Sequence, residues 1–174
     1  MNVPADHLDK LILARIEEIA ASLSPHKPLQ IPHRPEPDAE PMQCFANVQR
    51  KKQRDGGAIA TGWTFHHRFV AEVPGPGYLY LTHHAVWLAP KGREVIDVTP
   101  YPDVRHHPLP GPGKKPIFLF DKDASPVIVV EKMISLPLKF YALADDERLI
   151  AHVNKLSEAE QKHYLKAIAD AERG

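Results

Sequence analysis

A single cysteine, Cys44, leaves the chain no partner for an internal disulfide, which fits a reducing compartment. Net charge is missing too. Lys and Arg number 22 and Asp and Glu number 22, so overall charge gives no support to a polyanion-binding role. No apolar run approaches a membrane span, since IFLF and VIVV are strand-sized. Asp9, Lys10, Arg15, Glu17 and Glu18 interrupt the apolar residues of the N-terminus, unlike a signal peptide. These absences predict a soluble, cytoplasmic protein without nucleic-acid or membrane partners. There is also no CxxC, no HExxH and no GK[ST] ending to the GPGKK stretch, so neither a metal nor a nucleotide cofactor is expected.

Proline, by contrast, is abundant. Its 18 copies are about twice the usual frequency. They cluster in Pro25–Pro41, Pro74–Pro76 and Pro100–Pro116, and read as stiff connections inside one domain. Residues 1–40 predict an N-terminal helix and a Pro-rich arm, residues 41–144 a helix-plus-sheet core, and residues 145–174 C-terminal helices. The first helix spans Asp6 to Leu23, with Leu8, Ile12, Ile16 and Ile19 on one stripe and Asp6 as N-cap. In the arm, His26 and His33 read as solvated loop histidines. The C-terminal part reads as two helices, the second starting at a capping box of Ser157 and Glu160. Helices flanking a mainly antiparallel sheet make the class α+β.

Pro41 suits the first turn of a helix that carries Met42, Phe45 and Val48 on one side and closes at Gly56-Gly57. The run Arg50-Lys51-Lys52 with Arg54 then falls at the end of that helix, where cations favour the dipole. Cys44 falls near its start, where free N–H groups favour a thiolate. Strands AIATGWTF and HRFVAEV follow, with His66-His67 at their junction, then a PGPG turn. Gly62 marks a bulge or a close backbone approach, and Trp63 beside it reads first as a core residue and second as a wall of a substrate cleft.

The stretch Tyr78–Pro100 reads as a hairpin turning at Pro90-Lys91-Gly92. A two-residue loop pairs Ala89 with Gly92 and sets His84 directly opposite Asp97. A three-residue loop with a bulged glycine slips the register by one and moves Asp97 to the face of His83, so both histidines are candidate bases. A carboxylate beside an imidazole fixes its tautomer and raises its basicity, as a general base requires. Three His-His pairs also raise zinc, but adjacent strand residues point to opposite faces, so each pair offers one ligand at most.

Cys44 on a helix, His-Ala-Val-Trp at 84–87 and Asp-Val-Thr-Pro at 97–100 resemble the motifs of the transglutaminase-like branch of the papain-like cysteine enzymes. The stretch also looks like an uncharacterised bacterial family carrying CFANV, GW, HHAVW and DVTP. The resemblance covers about a third of the chain, Gln43 to Pro100, and departs at Phe45, Val86 and Val98. It implies a papain-like core with Cys44 as nucleophile, His84 as base and Asp97 as its orienter. It also implies acyl transfer on an amide, whether in a peptide, a protein or a small molecule. The Cys44 N–H is then one oxyanion donor, and Gln43, Gln30 and Trp63 are candidates for the second. The alternatives are a non-catalytic interaction domain or a pseudoenzyme on the same fold, and a zinc-binding module.

Overall fold

Two long strands form the spine of the molecule. The structure, a computed structural model, describes residues 5–92 and 94–174. β2 (Ala58–Val70) and β3 (Val73–Leu88) pair antiparallel along nearly their whole length. The expected strand break at His66-His67 does not occur, because the ladder runs through both residues. The turn is Ala71-Glu72, placing Glu72 in the turn and the PGPG stretch at the start of β3 with an irregular register. The full order is α1 (Ala5–Leu23), β1 (Leu29–Gln30), α2 (Cys44–Asp55), β2, β3, β4 (Val95–Ile96), β5 (Ile117–Phe120), β6 (Val127–Val129), β7 (Lys132–Ile134), β8 (Lys139–Ala142) and α3 (Glu147–Arg173). The sheet runs β1-β5-β2-β3-β4, β8 adds to β3, and β6-β7 is a separate hairpin. Every pairing between these strands is antiparallel, so the class is α+β.

The Pro-rich arm closes this sheet. Its start pairs with β5 at one edge through β1 and the Ile31 N–H to the Pro116 carbonyl. A few residues later it meets the other edge. Asp97 N–H donates to the Pro32 carbonyl at 2.9 Å, Arg34 N–H to the Asp97 carbonyl at 2.8 Å, and Glu36 N–H to the Val98 carbonyl at 3.1 Å. One segment therefore bridges both edges, and the strands curl into a small barrel around Ile31, Ala60, Val86 and Phe118. His33 is part of this seam. It bridges to Asp97, and its Nε2 lies 2.8 Å from the Thr99 carbonyl, which corrects its reading as a solvated loop residue. His26 is exposed.

Gly62 shows why the barrel can be this tight. It sits between β3 and β5, and a Cβ there would lie 1.9 Å from the Leu119 carbonyl oxygen. Gly62→Ala must push β5 off β2. A thermal melt is expected to show a loss of about 3 kcal/mol or more, the upper end for overpacking.

α1 lies on the outer face, with Ile12, Ile16 and Ile19 against Phe65, Leu79 and Leu81. The cap expected of Asp6 concerns a side chain outside those described. α3 is one helix of 27 residues, not two. Asp146 caps it by accepting the Arg148 and Leu149 N–H groups. Ser157 bonds back to the Val153 carbonyl at 3.0 Å and so lies inside the helix. The expected capping box is absorbed because a better cap, Asp146, already starts the same helix. No helix among the described residues is long and apolar enough to cross a membrane.

Candidate active site

The hairpin register differs from both sequence readings. Leu88 pairs with Val95 and Trp87 with Ile96, while the Ala89 N–H donates to the Glu94 carbonyl at 2.8 Å. Four residues thus form the loop. The backbone turns through Lys91 (φ 66) and Gly92 (φ 65), a pair of left-handed residues that a two-residue turn beginning at Pro90 cannot supply. The slip is two residues from the first reading, and two residues is one full pleat. Asp97 therefore keeps the face of His84, diagonal to it.

Beyond Trp87 the strands part. The continuation of β4 leaves β3 and pairs with the arm, and β8 reaches β3 only as far as Leu81. The α2 N-terminus fills this split, with Cys44 packed between Ala85 of β3 and Val98. α2 starts at Cys44, three residues after the expected start at Pro41, because Met42 has φ 64 and cannot be helical. Met42 consequently lies off the expected apolar stripe, 77% exposed at the rim. Cys44 is the first helical residue, so its N–H lies among those that an α-helix leaves without an internal partner. Gly56 (φ 74) ends the helix. The basic run pairs with acids of the arm and of its own helix, Lys51 lying 2.7 Å from both Glu36 and Asp55.

His84 and Asp97 meet inside the split. His84 Nε2 lies 3.0 Å from Asp97 Oδ1. The approach is off the line of a well-aligned hydrogen bond, so it is first of all an ion-pair contact. Asp97 is fully buried and held from two more sides, by the Thr99 N–H at 3.1 Å and by the Tyr101 hydroxyl. Burial penalises the His84 charge, but the Asp97 carboxylate and then Cys44 outweigh it and hold the ring well above the ordinary imidazole value. Burial also opposes the Asp97 charge, yet His84, Tyr101 and the Thr99 N–H keep that carboxyl below its usual range. Tyr101 is held far above the ordinary phenol value by burial and by Asp97.

His83 is placed quite differently. Its Nδ1 accepts the Leu136 N–H at 2.9 Å, which leaves Nε2 as the donor to the Ala124 carbonyl at 2.7 Å. Both nitrogens are engaged, and burial lowers its pKa. A ring so bound has no free lone pair to accept a proton.

The other candidates separate. Trp63 is 2% exposed under α1, and its Nε1 donates to Asp121 at 2.9 Å, so it packs in the core and does not line the cleft. Gln43 is the exposed N-cap residue of α2, with no side-chain cap bond. Gln30 lies on β1, paired with Ile117. Two residues that sequence reasoning passed over tie the site together. Buried Asn47 donates to the Glu40 carbonyl at 2.8 Å and to Thr99 Oγ1 at 3.2 Å, fastening α2 to the strand of Asp97. Tyr101 anchors the carboxylate. An Asn one turn after a helix-borne cysteine was the available signal for the first, and a Tyr following DVTP for the second.

A cavity of about 750 Å³ opens at Cys44 and His84. It runs between the Thr99–Pro102 stretch, the segment from Met133 to Leu138, and α3 near Tyr164. His66 lies in its wall. The ring stacks on Tyr80 and bonds to Thr82 through Nε2 at 3.1 Å, and burial pushes its pKa down to about 3. Among the described residues, no group of three or more His, Cys, Asp or Glu is placed to hold a metal ion. Comparison with protein-family models, curated proteins and solved structures found no match to this chain.

Proposed function

We propose that the protein is a cysteine-dependent acyl-transfer enzyme, with Cys44 as nucleophile, His84 as base and Asp97 as the residue that orients it, on a papain-like core. The observation that carries this reading is the placement of one buried histidine between a fully buried carboxylate and the chain's single thiol, at the mouth of a cavity. Asp97 on Nε2 leaves Nδ1 for the thiol proton. The thiolate then attacks a carbonyl carbon, and the leaving group departs with the proton held by His84. Water, activated by the same ring, opens the thioester. The Cys44 N–H, at the positive end of α2, is suited to receive the oxyanion.

The apolar packing of Cys44 against Val48, Ala85 and Val98 favours a second reading, a non-catalytic interaction domain that uses the cysteine as a small core residue. Alkylation of the native protein separates the two. Iodoacetamide is expected to label Cys44 at pH 6, because the raised His84 ring is still charged there. Labelling confined to pH above 8, or to the unfolded chain, would favour the scaffold.

A further inference from the structure

The walls of the cavity carry the inference about what enters it. Its polar groups are largely engaged with the protein itself. Tyr101 binds Asp97, His83 binds two backbone groups, and His66 is a neutral ring bonded to Thr82 through Nε2, its buried Nδ1 alone having no partner. Glu160 is the one carboxylate among the described lining residues, and it accepts the Leu138 N–H at 3.1 Å. No lysine or arginine lines the space among those residues. What remains to meet a ligand is mainly Met133, Ile134, Leu136, Leu138 and Ala167, with Ser135, His163 and the Tyr164 hydroxyl as polar exceptions.

The backbone N–H groups of the walls are largely engaged or missing. An extended peptide binds by exchanging hydrogen bonds with unpaired N–H and C=O groups. Along Ser135–Leu138 the N–H of Leu136 goes to His83, that of Leu138 goes to Glu160, and Pro137 has none. Across the cavity, Pro100 and Pro102 also lack an N–H, and the Thr99 carbonyl is engaged by His33. A peptide laid here would find few N–H donors for its own carbonyls. A hydrocarbon chain needs none and gains by leaving water.

We infer that the acyl group accepted by Cys44 is an apolar one, a medium-chain alkanoyl group lying between the Met133–Leu138 segment and α3, with the carbonyl at Cys44. This rests on the acyl-transfer reading above. With an ester as donor, the Cys44 proton passes to His84 and sulfur bonds to the carbonyl carbon. The bond from that carbon to the alcohol oxygen breaks, and the alcohol leaves with the proton. Water then gives the free acid and restores the thiol.

The test is a series of p-nitrophenyl esters, from acetate through butyrate and hexanoate to octanoate, with the full chain and with Cys44→Ser as the blank. Each methylene withdrawn from water favours binding about fourfold, so the Cys44-dependent kcat/KM is expected to rise by at least about tenfold from acetyl to octanoyl, as when two of the six added methylenes are fully buried, and toward about 4,000-fold when all six are. Ala167→Phe, which fills the cavity from α3, is expected to lower the octanoyl-to-acetyl ratio severalfold. Leu136→Ala, from the opposite wall, should lower it too. A flat profile, or faster cleavage of a peptidyl p-nitroanilide than of any ester, overturns the inference. Iodoacetamide labelling at pH 6, run in parallel, keeps the two failures apart. Normal labelling with a flat profile removes the acyl chain and leaves the nucleophile, whereas absent labelling removes both.

Discussion

Asp97→Asn is expected to lower turnover on the order of a thousandfold or more, and to move Cys44 alkylation to higher pH. The amide matches the carboxylate in size, and its oxygen can still accept the Thr99 N–H. What it lacks is the charge that holds His84 protonated against burial. A stability measurement across pH gives an independent reading. His84 is raised in the folded protein, so its contribution is complete below the unfolded value of about 6.5 and fades as pH rises through the folded value. Asp97 is depressed, so its contribution is complete above the unfolded value of about 4 and fades as pH falls through the folded one. The wild type should therefore exceed Asp97→Asn in stability most clearly between about pH 4 and 6.5, by about 1–3 kcal/mol, with the gap narrowing toward alkaline pH. A gap unchanged from pH 5 to 10, with alkylation unmoved, would leave Asp97 as a structural residue only.

The two adjacent histidines are expected to fail in opposite ways. His84→Ala should abolish labelling of Cys44 near neutral pH and turnover with it. It also strands a buried carboxylate, which costs about 3–5 kcal/mol unless Asp97 takes up a proton. His83→Ala should leave labelling intact but release the Ala124 carbonyl and the Leu136 N–H, at about 1–3 kcal/mol for each buried group left unpaired. Melting curves beside alkylation rates for both variants check this. Equal loss of labelling in the two would mean that the ring beside Asp97 is not the one serving the thiol.

The α+β class is legible in the periodicity, though the strand break read at His66-His67 is not there and the turn falls at Ala71-Glu72 inside the expected second strand; the His84–Asp97 meeting is legible for a reason that does not depend on the loop. A strand repeats every two residues, so an error of two in the register leaves the same side chains on one face. The exclusion of His83 is not legible. Its partners, Ala124 and Leu136, are more than forty residues away in sequence, and no local pattern announces them. Nor is the seam at His33. Five prolines between Pro25 and Pro37 suggest an extended surface arm, and the arm is indeed extended, but extension is also what lets it pair with Asp97. The core packing of Trp63 agrees with the leading reading of that residue, but its polar partner, Asp121, just past the end of β5, has no local signal in the sequence. Pro41 is a good helix opener, but the left-handed backbone at Met42 postpones the helix to Cys44.

A barrel closed by an arm has no free edge along its seam, and an unpaired edge is what recruits other chains into aggregates. The arm gives no side chain to the proposed chemistry, yet it covers β5 on one side and the Asp97 strand on the other. Cleavage of the chain between α1 and α2 would thus bare two strand edges at once, one of them carrying Asp97. Such a nicked protein would keep Cys44, His84 and Asp97 in its sequence. It would be expected to come out of solution before its activity could be compared.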